Sequence, residues 1–447
     1  YKQRYLLEVN GRYDGSSKFA KDHRYAFFPS VSAAWRISEE NFWQPLKGWW
    51  NDMKIRGSYG SLGNQVMDDL GNFPYLATYG TNSSYNYLIN GSKPVIVKAP
   101  GLVAPDFTWE TVTQMDFGFD ASFLNNRLTG TFDWYRRNTK DMLVAGATLP
   151  ATLGASVPKS NSADMKTIGW ELSLGWNDRL ENGFSYWVKG VLSDYQATIT
   201  KYAGNDAGFY SQSDGDGKYY VGQKIGEIWG YHSNGLFQSD DEAATIDQSE
   251  LYAGKWGAGD VKYEDLDNDG KITKGEETIY NPGDKSIIGN KTPRYQFGIT
   301  VGFDYKNFDF EMFWQGTGKR DYMLSGAQFW GFTSQWDVPY TPALDYWTET
   351  NTDAYFPRPG WQNGGNRVTS DRYLQSAAYG RLKNLTVGYT IPKNLTTKWG
   401  ISRLRLYVTG ENLLTITPLN DAFDPETLGG MTYPINRKVA IGLNLTL

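Results

Sequence analysis

The chain has 447 residues and a formal net charge of -5, lacks cysteine, carries only two histidines, and is 16% aromatic with 17 Trp and 31 Tyr. This excludes disulfides, thiolate metal centres and cysteine nucleophiles, and His23 and His232, far apart in sequence, leave little scope for histidine chemistry. The acidic balance and the lack of any Lys/Arg-rich run argue against nucleic acid as a partner.

The chain opens directly into "RYLLEVNGRYDGSSKF", which reads as a strand and a turn with no signal peptide at Tyr1, so its beginning is expected upstream. Alternation of apolar and polar residues then predicts strands near 3–14, 25–38, 52–62, 108–124, 128–144, 166–178, 184–199, 294–306, 308–320, 379–391, 402–414 and 437–447. In "MDFGFDASF", Met115, Phe117, Phe119 and Phe123 oppose Asp116, Gly118, Asp120 and Ser122. In "IGWELSLGW", Ile168, Trp170, Leu172, Leu174 and Trp176 oppose Gly169, Glu171, Ser173 and Gly175. The same period of two runs through Tyr295–Tyr305 and through the closing "KVAIGLNLTL".

Mean hydropathy is negative, and no apolar run approaches the length of a membrane-spanning helix. Strands that cross a bilayer escape that test, because only alternate residues face lipid. The connections alternate between two kinds. Mostly short ones include "NNR" after Leu124 and "PKNLTTKWG" after Ile391; mostly long ones cover 63–107, 145–165, 201–293, 321–379 and 415–436. Short turns at one rim and long loops at the other fit an all-β, transmembrane antiparallel barrel. A large soluble β-sandwich shares the alternation, but it does not require that asymmetry, nor a row of Asp, Glu, Ser and Gly opposite the apolar row in nearly every strand.

Two loops carry candidate chemistry. "DLDNDGKITKGE", Asp265 to Glu276, has the spacing D-x-D-x-D-G-x5-E. The carboxylates of Asp265, Asp267, Asp269 and Glu276 and the Lys271 carbonyl are the expected calcium ligands, and Gly270 permits the sharp turn. The flanks hold Gly, Pro and β-branched residues where an EF-hand needs helices, so the ion would brace a loop rather than switch one; an acidic Asx/Gly turn without metal is the competing reading. The loop 321–379 is rich in aromatic residues, of which Trp330, Trp336, Tyr340 and Trp361, with Arg358, are candidates for a substrate-binding rim. Internal packing of a long loop is the alternative.

No catalytic site is expected. Glu171, Glu311 and Glu411 fall on polar strand faces and read as lumen lining rather than as a glycosidase pair, and no Ser-His-Asp order, P-loop or dinucleotide fingerprint appears.

Several phrases then carry a resemblance: "RYAFFPSVSAAWRISEENF", "MKIRGSYGSLGNQ", "IGEIWGYHSNGLFQ", "GDVKYEDLDNDGKIT", "TPRYQFGITVGFDYKNFDFEMFWQG", "RLKNLTVGYTIPK" and "ENLLTITPLNDAFDPE". In this order, spread over essentially the whole chain, they resemble the SusC/RagA family of TonB-dependent outer-membrane transporters. The resemblance implies that residues 1–447 are the C-terminal part, about the last twelve strands, of a 22-stranded barrel, with the plug domain outside this chain. It also implies a SusD-like surface lipoprotein as lid, TonB acting through the upstream region, an oligosaccharide substrate, and the outer membrane lipid of a Gram-negative, Bacteroidetes-type bacterium, with a possible dimer of transporter–lid pairs. Peptide import, or a surface β-rich carbohydrate-binding or adhesion protein without a lumen, is the alternative. The sequence departs from the family pattern at Leu447, where an aromatic is common, and at Tyr379-Gly380, where larger apolar residues are usual.

Overall fold

The computed structural model describes residues 1–447 apart from 66–70, 83–87, 105–106, 147–148, 156, 206–207, 209–218, 429–432 and 434, so the long connections near 63–107, 145–165, 201–293 and 415–436 lie partly outside the described residues. Twelve strands form one antiparallel sheet in strict sequence order: β1 (Tyr5–Gly15), β2 (Tyr25–Arg36), β3 (Trp50–Asn64), β4 (Glu110–Phe123), β5 (Leu128–Ala145), β6 (Lys159–Arg179), β7 (Ser185–Tyr202), β8 (Arg294–Tyr305), β9 (Phe308–Lys319), β10 (Tyr379–Thr390), β11 (Arg403–Ile416) and β12 (Lys438–Thr446). Each strand pairs with its neighbours in sequence, while β1 and β12 are the two edges. No helix among the described residues is long and apolar enough to cross a membrane, which says nothing against strands doing so.

All twelve expected strands are present. The largest departure is β6, which begins at Lys159 rather than near 166. Its first turn of sequence, "KSNSAD", has no apolar alternation. It pairs with the end of β5 only across a register shift between Thr139 and Leu143, where Asp141 takes φ 57°. A bulge of this kind resets the side-chain parity and erases the period-two signal.

Register gathers the side chains of each parity onto one face. On one face Phe117 lies opposite Trp134, Trp134 opposite Trp170, and Val188 opposite Val301. Much of this face is exposed, with Leu7 at 73% and Ile441 at 84%. Among the described residues no second sheet covers it, so hydrocarbon is the medium that can bury it. The opposite face is a lattice of cross-strand polar contacts: Lys54 Nζ to Asp120 at 2.7 Å, Arg56 Nη2 to Asp133 at 2.7 Å, Ser58 Oγ to Asp116 at 3.1 Å, and Arg405 Nε to Asp309 at 2.9 Å. Charges so placed are matched across neighbouring strands and wet, as a lumen requires.

The main buried core lies in the long connections at one rim. Tyr231, Tyr263, Ile272, Phe329, Trp330, Phe356 and Tyr373 pack together there. Short paired strands frame them: Glu227–Tyr231 with Lys285–Asn290, Ser233–Leu236 with Val261–Tyr263, and Asp321–Met323 with Leu374–Ser376.

Candidate binding rim and acidic loop

Buried polar ties give the rim its shape. Asp260, 1% exposed, accepts hydrogen bonds from the Gly257 amide at 2.9 Å, Asn366 Nδ2 at 2.8 Å and Arg358 Nη2 at 2.9 Å. Gln248 accepts from the Tyr263 amide at 2.9 Å and donates to the Val261 carbonyl at 3.0 Å, standing in for a missing strand. Asp260, Asn366 and Gln248 are buried and hydrogen-bonded, so these loops hold one arrangement instead of sampling many.

The five residues expected at a binding rim divide. Trp330 is only 9% exposed, and its ring meets Tyr373 edge-on at 4.5 Å, which makes it a wall of the loop core rather than a free face. Trp336 (83%), Tyr340 (47%) and Trp361 (47%) are exposed. Arg358 spends part of its guanidinium on Asp260 and is thereby positioned rather than free. The turn that presents Trp336 is pinned by Asp337, which accepts from the Thr333 hydroxyl and from the amides of Thr333 and Ser334, both at 2.7 Å. The Thr333 hydroxyl, ahead of those amides, holds the Asp337 carboxyl below the usual range. Arg367 donates to the carbonyls of Phe332, Gly360 and Trp361 at 3.2–3.3 Å and so fixes the segment bearing Trp361. The cleft between Trp330, Tyr346, Arg358 and Arg367 has a volume of only about 20 Å³, too small for a sugar ring; the exposed aromatics and the open grooves of the polar sheet face offer more room. One such groove, of 700 Å³, is lined by Glu8, Asn10, Arg12, Ser32, Gln114 and Asp116; another, of 590 Å³ at the short-turn end, includes Asp304, Asp309, Glu311 and Arg405.

In the acidic loop, oxygens of Asp265, Asp267 and Asp269 lie within 4.8 Å of one another. Gly270 takes φ 85° at the sharp turn. Burial raises the Asp265 carboxyl, but amide bonds from Gly270, Asn268 and Asp269 outweigh it and leave the group lowered. Asp267 is raised, first by desolvation and then by the charge of Asp269. Two carboxylates repelling each other at a turn are what a divalent cation would relieve, and the three converging carboxylates would supply part of a calcium ligand set. Glu276 is not in the group that converges; its amide bonds the Asn281 carbonyl at 3.0 Å. Lys271 donates its amide to Asp269 at 2.8 Å.

Sequence reasoning passed over two other groups. Asp284, fully buried, accepts from the Leu266 amide at 2.7 Å and the Thr273 amide at 2.7 Å, closing the acidic loop on itself. His232 lies between Ser286 Oγ, 2.7 Å from Nε2, and Asp371 Oδ2, 2.7 Å from Nδ1, although no Ser-His-Asp order shows in the sequence. Asp371 also accepts the Ser233 amide at 3.0 Å, so this node ties together loop segments 139 residues apart. Only its isolation in a chain with two histidines marks His232 in the sequence.

With this geometry in place, similarity to known proteins is informative. A family model described as TonB dependent receptor-like, beta-barrel, matches residues 1–413. TonB-dependent receptor P26 of Formosa agariphila is 30% identical over 466 residues, spanning 100% of this chain and 45% of that protein. TonB-dependent receptor SusC of Bacteroides thetaiotaomicron is 28% identical over 449 residues, spanning 99% of this chain and 42% of that protein. The solved RagAB peptide transporter shares the fold, with a TM-score of 0.77 at 22% identity, covering 99% of this chain and 46% of that chain. The chain thus spans under half the length of the curated relatives it matches.

Proposed function

Because the chain belongs to the TonB-dependent receptor-like β-barrel family, and within it is of the SusC/RagA type, we propose that it forms the lumen wall and external binding rim of an outer-membrane importer of oligosaccharides. The observation that carries this reading is a single sheet with one lipid-suited face and one wet face, crowned at its long-loop rim by a rigid unit exposing Trp336, Tyr340 and Trp361. Aromatic faces of this kind stack on sugar rings. A SusD-like lipoprotein would close over the same rim, and TonB would act through a plug outside this chain. Calcium held by Asp265, Asp267 and Asp269 would stiffen the longest loop, and transporter–lid pairs could associate as dimers.

The test is to purify the full transporter from outer membranes in detergent, identify co-purifying chains by mass spectrometry, and titrate glycans and peptides by calorimetry. A lipoprotein in equal amount, and glycan binding weakened about tenfold or more by Trp336→Ala, supports the reading. Peptide binding alone would replace the substrate class with that of a peptide importer. A soluble, solitary protein would overturn transport.

A further inference from the structure

The outward face of the sheet changes character over β5 and β6. In β5 the outward row runs Phe132, Trp134, Arg136, Asn138 and Lys140; in β6 it runs Leu172, Trp170, Ile168 and Lys166. Trp134 lies opposite Trp170, Arg136 opposite Ile168, and Asn138 opposite Lys166. The parity is fixed independently from the polar face, where Asp133 takes Arg56 and Arg137 Nε bonds the Gln114 side chain at 2.9 Å. Residues 133, 135 and 137 therefore face the lumen and 134, 136, 138 and 140 face outward.

Lys166 is diagonal to both Arg136 and Lys140 across the strand pair, at a backbone separation of roughly 7–8 Å. The three cations thus form a triangle, with Asn138 between Arg136 and Lys140 on one strand and Lys166 opposite it on the other. Among the described residues no carboxylate lies within ion-pairing distance of any of them, and the polar partner seen for Arg136 is Asn138 Oδ1 at 3.3 Å. The acid across the strand pair from Lys140 and Asp141, Asp164, accepts the Asp141 amide at 2.9 Å. Three unpaired cations side by side are notable in a chain of net charge -5.

Height decides what they meet. From Leu128, at the short-turn end of β5, to Arg136 is about 26 Å along the strand, or about 20 Å along the membrane normal for a tilt of about 40°. Lys140 stands at about 30 Å by the same measure. The cations therefore straddle the outer border of an apolar band about 25 Å tall, directly above the Trp134–Trp170 pair.

We propose that Arg136, Lys140 and Lys166 form a binding site for a phosphorylated lipid of the outer leaflet. The phosphate is held by the three cations and Asn138, and the acyl chains lie along Trp134, Trp170, Phe132 and Leu172. Lys and Arg snorkelling at this height suit the headgroup, and the aromatic pair below suits the glycerol or sugar level of the lipid. The inference rests on the membrane-spanning reading of the sheet.

The experiment uses the full transporter and its Arg136→Gln/Lys140→Gln/Lys166→Gln variant in nanodiscs of phosphatidylcholine doped with phosphatidylglycerol or phosphorylated lipid A, with retained lipids counted by native mass spectrometry. Heat-modifiable migration on gels confirms a folded barrel in each case. The unaltered protein is expected to enrich the anionic lipid, at about fivefold per cation, and the triple variant to lose at least about tenfold of that enrichment while retaining as much total lipid. Lys189→Gln, on the lumen face, should leave the enrichment unchanged. Equal retention of anionic and zwitterionic lipid by the unaltered protein overturns the site, as does enrichment that survives in the triple variant or falls equally in Lys189→Gln. Abolition of the enrichment by millimolar inorganic phosphate would make this a free-anion site and overturn the lipid. Failure to insert into bilayers would instead overturn the membrane-spanning reading itself.

Discussion

Trp330 and Trp336 stand six positions apart in one loop and should behave oppositely when replaced by alanine. Trp330 is 9% exposed, packs on Tyr373 at 4.5 Å and on Phe356 at 6.0 Å, and both of those rings are themselves buried. Truncating a buried Trp costs about 3–5 kcal/mol. The loss is local, because the loop unit has its own core while the sheet is held by ladder pairing and lipid. In hydrogen exchange limited by local opening, that cost converts to roughly 150- to 5,000-fold faster exchange of the amides of Phe356, Tyr373 and Tyr263. Trp336, 83% exposed, removes little packing. Its replacement should change stability by less than about 0.5 kcal/mol, or roughly twofold in exchange, while weakening ligand or lid binding. Exchange mass spectrometry on the full transporter in detergent reads both. Less than about tenfold acceleration in Trp330→Ala, or equal acceleration in Trp336→Ala, would refute the division of this loop into core and contact surface.

Three further expectations follow from the loops. Gly275 and Gly283 lie back to back: a Cβ at Gly283 would sit 2.5 Å from the Gly275 nitrogen, and Gly283 takes φ 59°. Gly283→Ala should therefore open the loop that Asp284 closes, seen as faster exchange at Leu266 and Thr273, whereas Gly400→Ala, at another left-handed turn with open space around it, should not touch this loop. Chelation of calcium by EGTA should raise protease sensitivity within 265–276, with reversal on adding calcium but not magnesium; indifference to both would leave an Asx turn and remove the metal. The Asp337 carboxyl is depressed in the folded loop, so its contribution is present above the ordinary aspartate value of about 3.9 and is lost as pH falls through the lower folded value. The amides of Thr333 and Ser334 should accordingly lose protection only below about pH 4, and Asp337→Asn should remove that pH step.

The strands were legible because a half-buried strand writes its burial into every second residue, and nothing beyond the strand is needed to read it. Phe117, Trp134, Trp170 and Val301 declare their face locally, and pairing then places them together. The start of β6 was not legible, since a bulge at Asp141 lets a non-alternating segment pair. The rim was legible only as composition. Its aromatics could be counted, but which of them are walls depends on contacts such as Asp260 with Asn366, 106 residues apart, and His232 with Asp371. The four carboxylates of the acidic loop show the same limit: the three that alternate at short range converge, and Glu276, the one that depends on the path of the chain, is not among them.

That dependence on long-range contacts bears on how an importer of this kind would open. The long connections are stitched to one another just above the sheet, Arg320 Nε to the Lys291 carbonyl at 3.1 Å, the Asn290 amide to Asp321 at 2.9 Å and Thr417 Oγ1 to the Ala378 carbonyl at 2.8 Å, and to the sheet itself by buried Arg381 on β10, which meets Asp424 at 2.6 Å and Glu426 at 3.0 Å. Removing one partner of a fully buried ion pair costs about 3–5 kcal/mol, and Arg381, with its side chain 3% exposed, would be left without a carboxylate if Asp424 and Glu426 both moved away. A hinge that broke several of these ties per transport cycle would need more than substrate binding at such an open rim returns. On the proposed function, the rim then moves with the barrel as one body, and gating falls to the two components this chain only meets: the lid above the exposed aromatics and the plug against the ion-pair lattice of the lumen.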